Sequence, residues 1–190
     1  MNEIMTRTRS RLAPAWLGLV LLAHLGWCGN ASAEPVASCP DRASALVAEM
    51  SLPEKVGQMT MADLSTVRDS PGLVKTHSLG AVLSGGDSFP TRGVGPDDWR
   101  RTVDALHEAA LGTRLGIPLL YGIDAVHGHA SVAGAVVFPH NIGLGCTRDP
   151  ALVERIAAAT AAEVRSTGID WTFSPVVAAA RDERWGRTYE

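Results

Sequence analysis

Two clusters of polar side chains follow apolar runs that have the length of a β-strand. The first contains Asp124 with two histidines after the run 117–123, and the second, 181–187, ends at Arg187. An aspartate can accept hydrogen bonds from two neighbouring hydroxyl groups, and an arginine fork can donate two to ring hydroxyl oxygens. Together the clusters are typical of a polyol or sugar site. Their spacing is equally compatible with an ion pair that ties two strand ends together.

The histidines offer a second kind of chemistry. His127 and His129, with His140 further on, could hold a metal ion, because alternate residues of a strand point to the same side. No Cys or Glu joins them at ligand spacing, so the pattern favours structural histidines held by hydrogen bonds. Trp185 also has two interpretations, since its ring could stack under a sugar or cover the rim of the fold.

The elements that must position these clusters alternate between strands and helices. Buried strands are predicted at three apolar runs, residues 79–84, 117–123 and 169–177. Helices are predicted at 41–50, from the Ser51 cap through Met59, from Trp99 to near Gly112, and from Asp149 to Gly168. This alternation implies parallel βα units with right-handed crossovers. Polar residues at the carboxyl ends of such strands lie where α/β folds place their ligands.

The chain length limits the architecture. About three βα units can be counted in the 190 residues, whereas a closed eight-unit barrel typically needs about 250 residues. We therefore predict an α/β fold that is a partial (β/α)8 TIM-type barrel with about its first three units. We also expect the sequence to be a truncated part of a longer protein.

Charge and cysteine content exclude several classes of function. The chain has 17 Lys and Arg against 20 Asp and Glu, a net charge of -3, which argues against a nucleic-acid partner. The three cysteines, at 28, 39 and 146, lack the short paired spacings of a zinc site and are too few for a disulfide scaffold. Cys39 and Cys146 could pair in an oxidising compartment or remain thiols.

The first 33 residues have the pattern of a secretory signal peptide. Three arginines precede the apolar run 12–27, and a small-residue A-x-A pattern ends at Ala33. A membrane anchor needs about 20 apolar residues, whereas this run is shorter and is interrupted by His24. A lipid on Cys28 is disfavoured by the bulky Trp27 before it. We expect a secreted or periplasmic protein that leaves the membrane after cleavage.

Four stretches of sequence closely resemble the N-terminal barrel domain of glycoside hydrolase family three. They are GAVLSGG at 80–86, RLGIPLLYGIDAVHG at 114–128, FPHNIGLGCTRDP at 138–150 and RDERWGRTYE at 181–190. The order and spacing are those of the family, the resemblance covers residues 41–190, and it is greatest to the secreted β-glucosidase and exo-β-glucanase branch. The domains are thus expected to be a signal peptide, 1–33, and a truncated N-terminal part of the barrel domain, 34–190.

The resemblance implies a retaining, exo-acting glycosidase that releases terminal glucose from β-glucosides or β-glucan oligosaccharides. Asp124 would bind the outer hydroxyls of the terminal non-reducing glucose, and Arg187 would contact the same sugar. The three histidines would then be mainly structural, and neither a metal nor another cofactor would be required.

The resemblance also implies that the catalytic carboxylates lie elsewhere. The family's nucleophilic aspartate, its acid/base glutamate and a Lys-His pair of the sugar site all lie downstream and have no matching positions here. Asp170, Asp182 and Glu190 fall where the family uses residues for other purposes. The chain would carry only part of the sugar-binding site. A β-N-acetylhexosaminidase is disfavoured by the signal peptide and the GIDAVHG motif, and a non-catalytic sugar-binding or inert fragment is the other alternative.

Overall fold

Four parallel strands, paired in sequence order, organise residues 38–190, the part of the chain that the computed structural model describes. The predicted signal peptide and Cys28 lie outside the described residues. The strands are β1 (Met61–Asp63), β2 (Ala81–Ser84), β3 (Leu120–Ile123) and β4 (Trp171–Thr172). The helices are α1 (Cys39–Glu49), α2 (Leu52–Gln58), α3 (Leu64–Val67), α4 (Gly72–His77), α5 (Pro96–Leu111), α6 (Asn141–Cys146) and α7 (Pro150–Ser166).

Local capping explains where α2 and α7 begin. Ser51 caps α2, and Glu54 returns the bond by accepting the Ser51 backbone N–H at 2.8 Å. Asp149 caps α7 by accepting the Leu152 N–H at 3.0 Å. These two predicted helix starts are confirmed. Both helices also have a proline in the first turn, where its missing N–H breaks no helical hydrogen bond.

The core lies between the sheet and the helices, and α5 contributes four of its buried residues. This helix buries the apolar positions that the sequence pattern selected, Trp99, Val103, Leu106 and Ala110, each no more than 1% exposed. They pack with apolar side chains of β2 and β3 in a single cluster of buried residues. The prediction of an amphipathic helix in this region is confirmed, since α5 extends from Pro96 to Leu111.

The strands differ from the predicted ones in number and length. The sequence predicted only a helix through Met59, but β1 follows it immediately and pairs Met61 with Ala81 of β2. The predicted strand 169–177 is reduced to β4, because only Trp171 and Thr172 pair with β3. The count of strands in the described residues is therefore four, where about three βα units were predicted.

The sheet is open, with β1 and β4 at its edges within residues 38–190. All three pairings are parallel, and helices lie in the connections between the strands. This is the α/β partial-barrel architecture that was predicted. Within the described residues, no helix has the length and apolar character needed to cross a membrane.

Candidate functional site

Polar and aromatic residues meet where the four strands end. We call this region, the carboxyl ends of β1 to β4 with the residues that follow them, the upper edge. The parallel register places Ser84 of β2 beside Ile123 of β3, and Ile123 beside Thr172 of β4. Asp124 and Phe173, which directly follow β3 and β4, are thereby brought to the same edge. The prediction that polar side chains gather at the carboxyl ends is confirmed for Asp124.

Part of the upper edge is occupied by hydrogen bonds within the protein. Asp63 accepts bonds from Ser88 at 2.7 and 2.8 Å and from the Ser65 N–H at 2.8 Å. Burial opposes ionisation of Asp63, but the serine hydrogen bonds outweigh it and lower the pKa of this carboxyl. The Ser84 hydroxyl and the buried Tyr121 hydroxyl lie 2.8 Å apart, and burial raises the pKa of Tyr121. These groups hold β1, β2 and β3 together.

A cleft of about 410 Å³ lies beside these hydrogen-bonded residues of the upper edge. We call it the upper cleft. Its charged lining residues are Asp124, Arg187 and Glu190, and its apolar lining includes Phe89, Val126, Phe173 and Val176. The exposed side chain of Asp124 and the two-thirds exposed side chain of Arg187 can both reach solvent there. The cleft thus brings together the two residues that sequence analysis selected for sugar binding.

Arg187 is held in the upper cleft by its own segment. Its Nε donates to Glu190 Oε1 at 2.8 Å, and its Nη2 donates to Glu190 Oε2. These hydrogen bonds raise the pKa of the guanidinium, and the charge of Asp124 acts in the same direction. The expected alternative of an ion pair joining the two clusters is not formed, since within the described residues the ion pair of Arg187 is with Glu190.

A stack of three rings supports this segment. His127 and His140 have ring centroids 3.9 Å apart, and the Tyr189 ring meets His140 edge-on at 4.8 Å. His127 Nδ1 donates to the Phe138 carbonyl oxygen at 2.7 Å, while the Tyr189 carbonyl accepts the Ile142 N–H at 3.2 Å. We call these three rings the histidine stack. It links the loop after β3, the start of α6 and the segment that carries Arg187.

His129 is separate from this stack and is fully buried. The Thr167 hydroxyl donates to the Val164 carbonyl at 2.7 Å, so His129 Nε2 must donate to Thr167 Oγ1 at 3.0 Å. Burial lowers the pKa of His129, which favours the neutral ring. Its contacts join the loop after β3 to the end of α7, which is a structural role.

The remaining candidate residues lie away from the cleft or bind each other. Trp185 is 37% exposed and does not line the upper cleft. Asp170 pairs with Arg165 at 3.1 Å, before β4 begins, and Asp182 pairs with Arg184 at 2.7 Å. Among residues 38–190 there is no group of three or more His, Cys, Asp or Glu placed to hold a metal ion. Cys39 and Cys146 are exposed free thiols there.

Sequence reasoning missed the aromatic lining of the upper cleft and the role of Glu190. Phe173 was counted only as part of the predicted strand 169–177, and no signal in the sequence singled it out, because only the structure ends β4 at Thr172. Glu190 was set aside as a catalytic group, but its spacing of three residues from Arg187 allows the bidentate bond that holds the guanidinium.

Comparison with known proteins gives consistent matches. Residues 51–190 match the model of the glycosyl hydrolase family 3 N-terminal domain. A lysosomal beta glucosidase of Dictyostelium discoideum is 32% identical over 161 residues, which cover 76% of this chain and 20% of that protein. A periplasmic beta-glucosidase/beta-xylosidase of Dickeya chrysanthemi is 32% identical, with 77% of this chain and 25% of that protein covered.

The crystal structure of an exo-1,3/1,4-beta-glucanase from a Pseudoalteromonas species is also similar. Its TM-score is 0.71 and its identity 40%, and the similarity covers 78% of this chain and 19% of that one. The chain therefore spans about a fifth to a quarter of the length of these three proteins.

Proposed function

This chain belongs to glycosyl hydrolase family 3, and we propose that it supplies part of the sugar-binding site of a β-glucosidase. The enzyme would remove terminal, non-reducing β-D-glucosyl residues from β-glucosides or β-glucan oligosaccharides. The names of the similar proteins support this assignment, since a beta glucosidase, a beta-glucosidase/beta-xylosidase and an exo-beta-glucanase all act on β-linked sugars.

The observation that carries the proposal is that Asp124 and Arg187 share the upper cleft. A guanidinium has five N–H donors, and two of those of Arg187 are occupied by Glu190. The other N–H groups are available for sugar hydroxyl oxygens, while the exposed Asp124 carboxylate can accept hydrogen bonds from hydroxyl protons. A donor and an acceptor in one cleft match a molecule whose hydroxyl groups both donate and accept.

The role of these residues is to bind and orient the sugar. A retaining glycosidase uses one carboxylate as the nucleophile and a second as the acid that protonates the leaving oxygen. We place both outside this chain, in the part of the protein that corresponds to the remaining length of the relatives. Asp124 and Arg187 would hold the terminal ring so that its anomeric carbon faces that nucleophile, which lowers the barrier through positioning.

We further propose that residues 1–33 direct export and that the protein works outside the cytoplasm. The arginine-rich start and the A-x-A pattern support a cleaved signal, and the Dickeya relative is a periplasmic protein. N-terminal sequencing of the exported product tests this proposal. The expected first residue is Glu34, and a product that retains Trp27 would contradict it.

The activity is tested with 4-nitrophenyl glycosides and the full-length protein. We expect hydrolysis of the β-glucoside with retention of anomeric configuration, and no faster hydrolysis than in buffer by residues 34–190 alone. The β-xyloside is the necessary comparison because one relative is named for both sugars. A preference for the β-N-acetylglucosaminide, or turnover by residues 34–190, would contradict the proposal.

A further inference from the structure

The aromatic ring of Phe173 is built into the wall of the upper cleft. Its backbone N–H donates to the Ile123 carbonyl at 3.0 Å, which fixes the residue beside the end of β3. The ring lies over Gly122, where a Cβ atom would be only 2.7 Å from Phe173 Cζ. Trp171 meets the ring edge-on, with centroids 4.7 Å apart and planes at 78°. The half-buried ring is thus supported by β3 and by β4.

The same cleft also carries charged groups, so its lining has a polar part and an apolar part. Asp124, Arg187 and Glu190 contribute polar atoms, whereas Phe173 contributes a flat apolar surface. A pyranose ring whose hydroxyl groups are all equatorial has the same division, because its hydroxyls form a polar rim around two faces of C–H groups. Burying a C–H face on an aromatic ring removes apolar surface from water. An axial hydroxyl on the covered face would place a polar group against that ring without a hydrogen-bond partner.

We propose that Phe173 is a specificity-determining residue that provides a platform for the apolar face of the terminal sugar. The covered face is the one from which the axial 4-hydroxyl of galactose would project, so the platform selects glucose, whose hydroxyls are all equatorial, over galactose. This inference rests on the proposed function because it concerns the same sugar site. Gly122 is the residue that makes room for the platform, since any side chain there would displace the Phe173 ring.

Trp185 provides a matched control. It is an aromatic residue close in sequence to Arg187, but it lies outside the lining of the upper cleft and is 37% exposed. Replacing Trp185 removes an aromatic ring without touching the proposed platform. Its substitution by Leu should therefore leave sugar selectivity as it is in the wild type.

The experiment measures kcat/KM of the full-length protein for 4-nitrophenyl β-glucoside and β-galactoside. Phe173→Leu keeps an apolar side chain but loses the flat surface, so we expect the glucoside-to-galactoside ratio to fall about tenfold, the effect of one aromatic contact. Gly122→Ala should lower the ratio in the same direction, and Trp185→Leu should not. An unchanged ratio in a Phe173→Leu protein with wild-type melting temperature overturns the inference, as does an equal fall in Trp185→Leu.

Binding of free glucose and galactose, followed by calorimetry on the same proteins, separates this inference from the proposed function. A wild type that hydrolyses neither glycoside, yet binds glucose more tightly than galactose in a Phe173-dependent manner, contradicts the hydrolase and supports the platform. A wild type that hydrolyses the glucoside, with selectivity independent of Phe173, supports the hydrolase and overturns the platform. If the wild type neither hydrolyses nor binds, both are wrong.

Discussion

The amino ends and the carboxyl ends of the strands, the lower and upper edges of the sheet, use charged residues in different ways. At the lower edge, the amino ends of the strands, Arg114 donates to both oxygens of Glu54, at 2.9 and 2.7 Å, and to the Glu49 carbonyl at 2.9 Å. Asp170 is likewise paired with Arg165. At the upper edge, Asp124 faces solvent in a cleft. The lower-edge charges are thus paired within the protein, whereas the upper edge leaves the Asp124 carboxylate exposed in the cleft.

Glycine has a different role at each edge as well. Gly57 at the lower edge has no room for a side chain, since a Cβ there would lie 2.0 Å from the His77 carbonyl oxygen. Gly85, which follows β2 at the upper edge, has no atom within 4 Å of the same position. The lower edge is packed backbone against backbone at Gly57, whereas the upper edge is open at Gly85. In barrel folds of this type the amino-end face serves stability and the carboxyl-end face serves function.

The strongest test of this contrast is Gly57→Ala. The added methyl would overlap the His77 carbonyl, so α2 and α4 would have to separate. We expect the free energy of unfolding, measured by urea denaturation, to fall by about 3 kcal/mol or more. Gly85→Ala is the control, with an expected change of about 1 kcal/mol or less. Equal losses in the two variants would show that the edges do not differ in packing.

Asp124→Ala tests the upper edge in the full-length protein. A hydrogen bond between a charged group and a sugar hydroxyl contributes about 1.5 to 3 kcal/mol, so kcat/KM for the β-glucoside should fall about ten- to hundredfold. Azide should not restore activity, because the missing group is not the nucleophile. Asp170→Ala, at the lower edge, should leave kcat/KM unchanged. A comparable loss of activity in both variants would remove the functional distinction between the edges.

The histidine stack gives a smaller effect of a different kind. His140→Ala removes the ring between His127 and Tyr189, so the segment carrying Arg187 loses its support. We expect KM for the β-glucoside to rise about threefold to tenfold, with kcat little changed. His140→Phe keeps a ring in this place and should recover most of the loss. If the Phe variant is as impaired as the Ala variant, packing of the ring is not what positions Arg187.

The smallest effect concerns the pH dependence of stability at the lower edge. Hydrogen bonds from Arg114 and then from Ser51 lower the pKa of Glu54 from 4.5 to about 2. A carboxyl with a lowered pKa in the folded state stabilises that state above its unfolded pKa and loses this effect as the pH falls. Wild type should therefore be more stable than Glu54→Gln at neutral pH, with the difference disappearing between about pH 4.5 and pH 2.

Urea midpoints measured across this range give the difference directly. Arg114→Gln removes the other partner of the Arg114–Glu54 ion pair and should show the same pH dependence as Glu54→Gln. If the difference in urea midpoint between wild type and Glu54→Gln stays constant down to pH 2, the ionised Glu54 carboxylate is not the source of the added stability.

Helix starts were predictable because their causes are local. Ser51 and Glu54 are three residues apart, as are Asp149 and Leu152. The hydrogen bonds that cap α2 and α7 can therefore be predicted from residues close in sequence. The strand β1 was not predictable in this way. Its three residues have no strong pattern, and they form a strand because Met61 pairs with Ala81, far along the chain.

Glu190 and Phe173 show the same limit at the site. The sequence resemblance marked Asp124 and Arg187, but it did not indicate what holds Arg187 in place. That depends on the Glu190 side chain folding back on the guanidinium, and on the Tyr189 ring meeting His140. The platform function of Phe173 depends on the close approach of its ring to Gly122, which lies on the neighbouring strand.

The sequence by itself determined the family, the alternation of strands and helices, the helix caps and the two residues proposed to bind sugar. All of these depend on residue types and on spacings between residues close in sequence, which the amino-acid sequence shows directly. The tertiary structure alone decided that Asp124 and Arg187 share one cleft, that Arg187 pairs with Glu190 rather than Asp124, and that Phe173 lines the wall. Those outcomes depend on strand register and side-chain direction, which arise only when distant segments pack against each other.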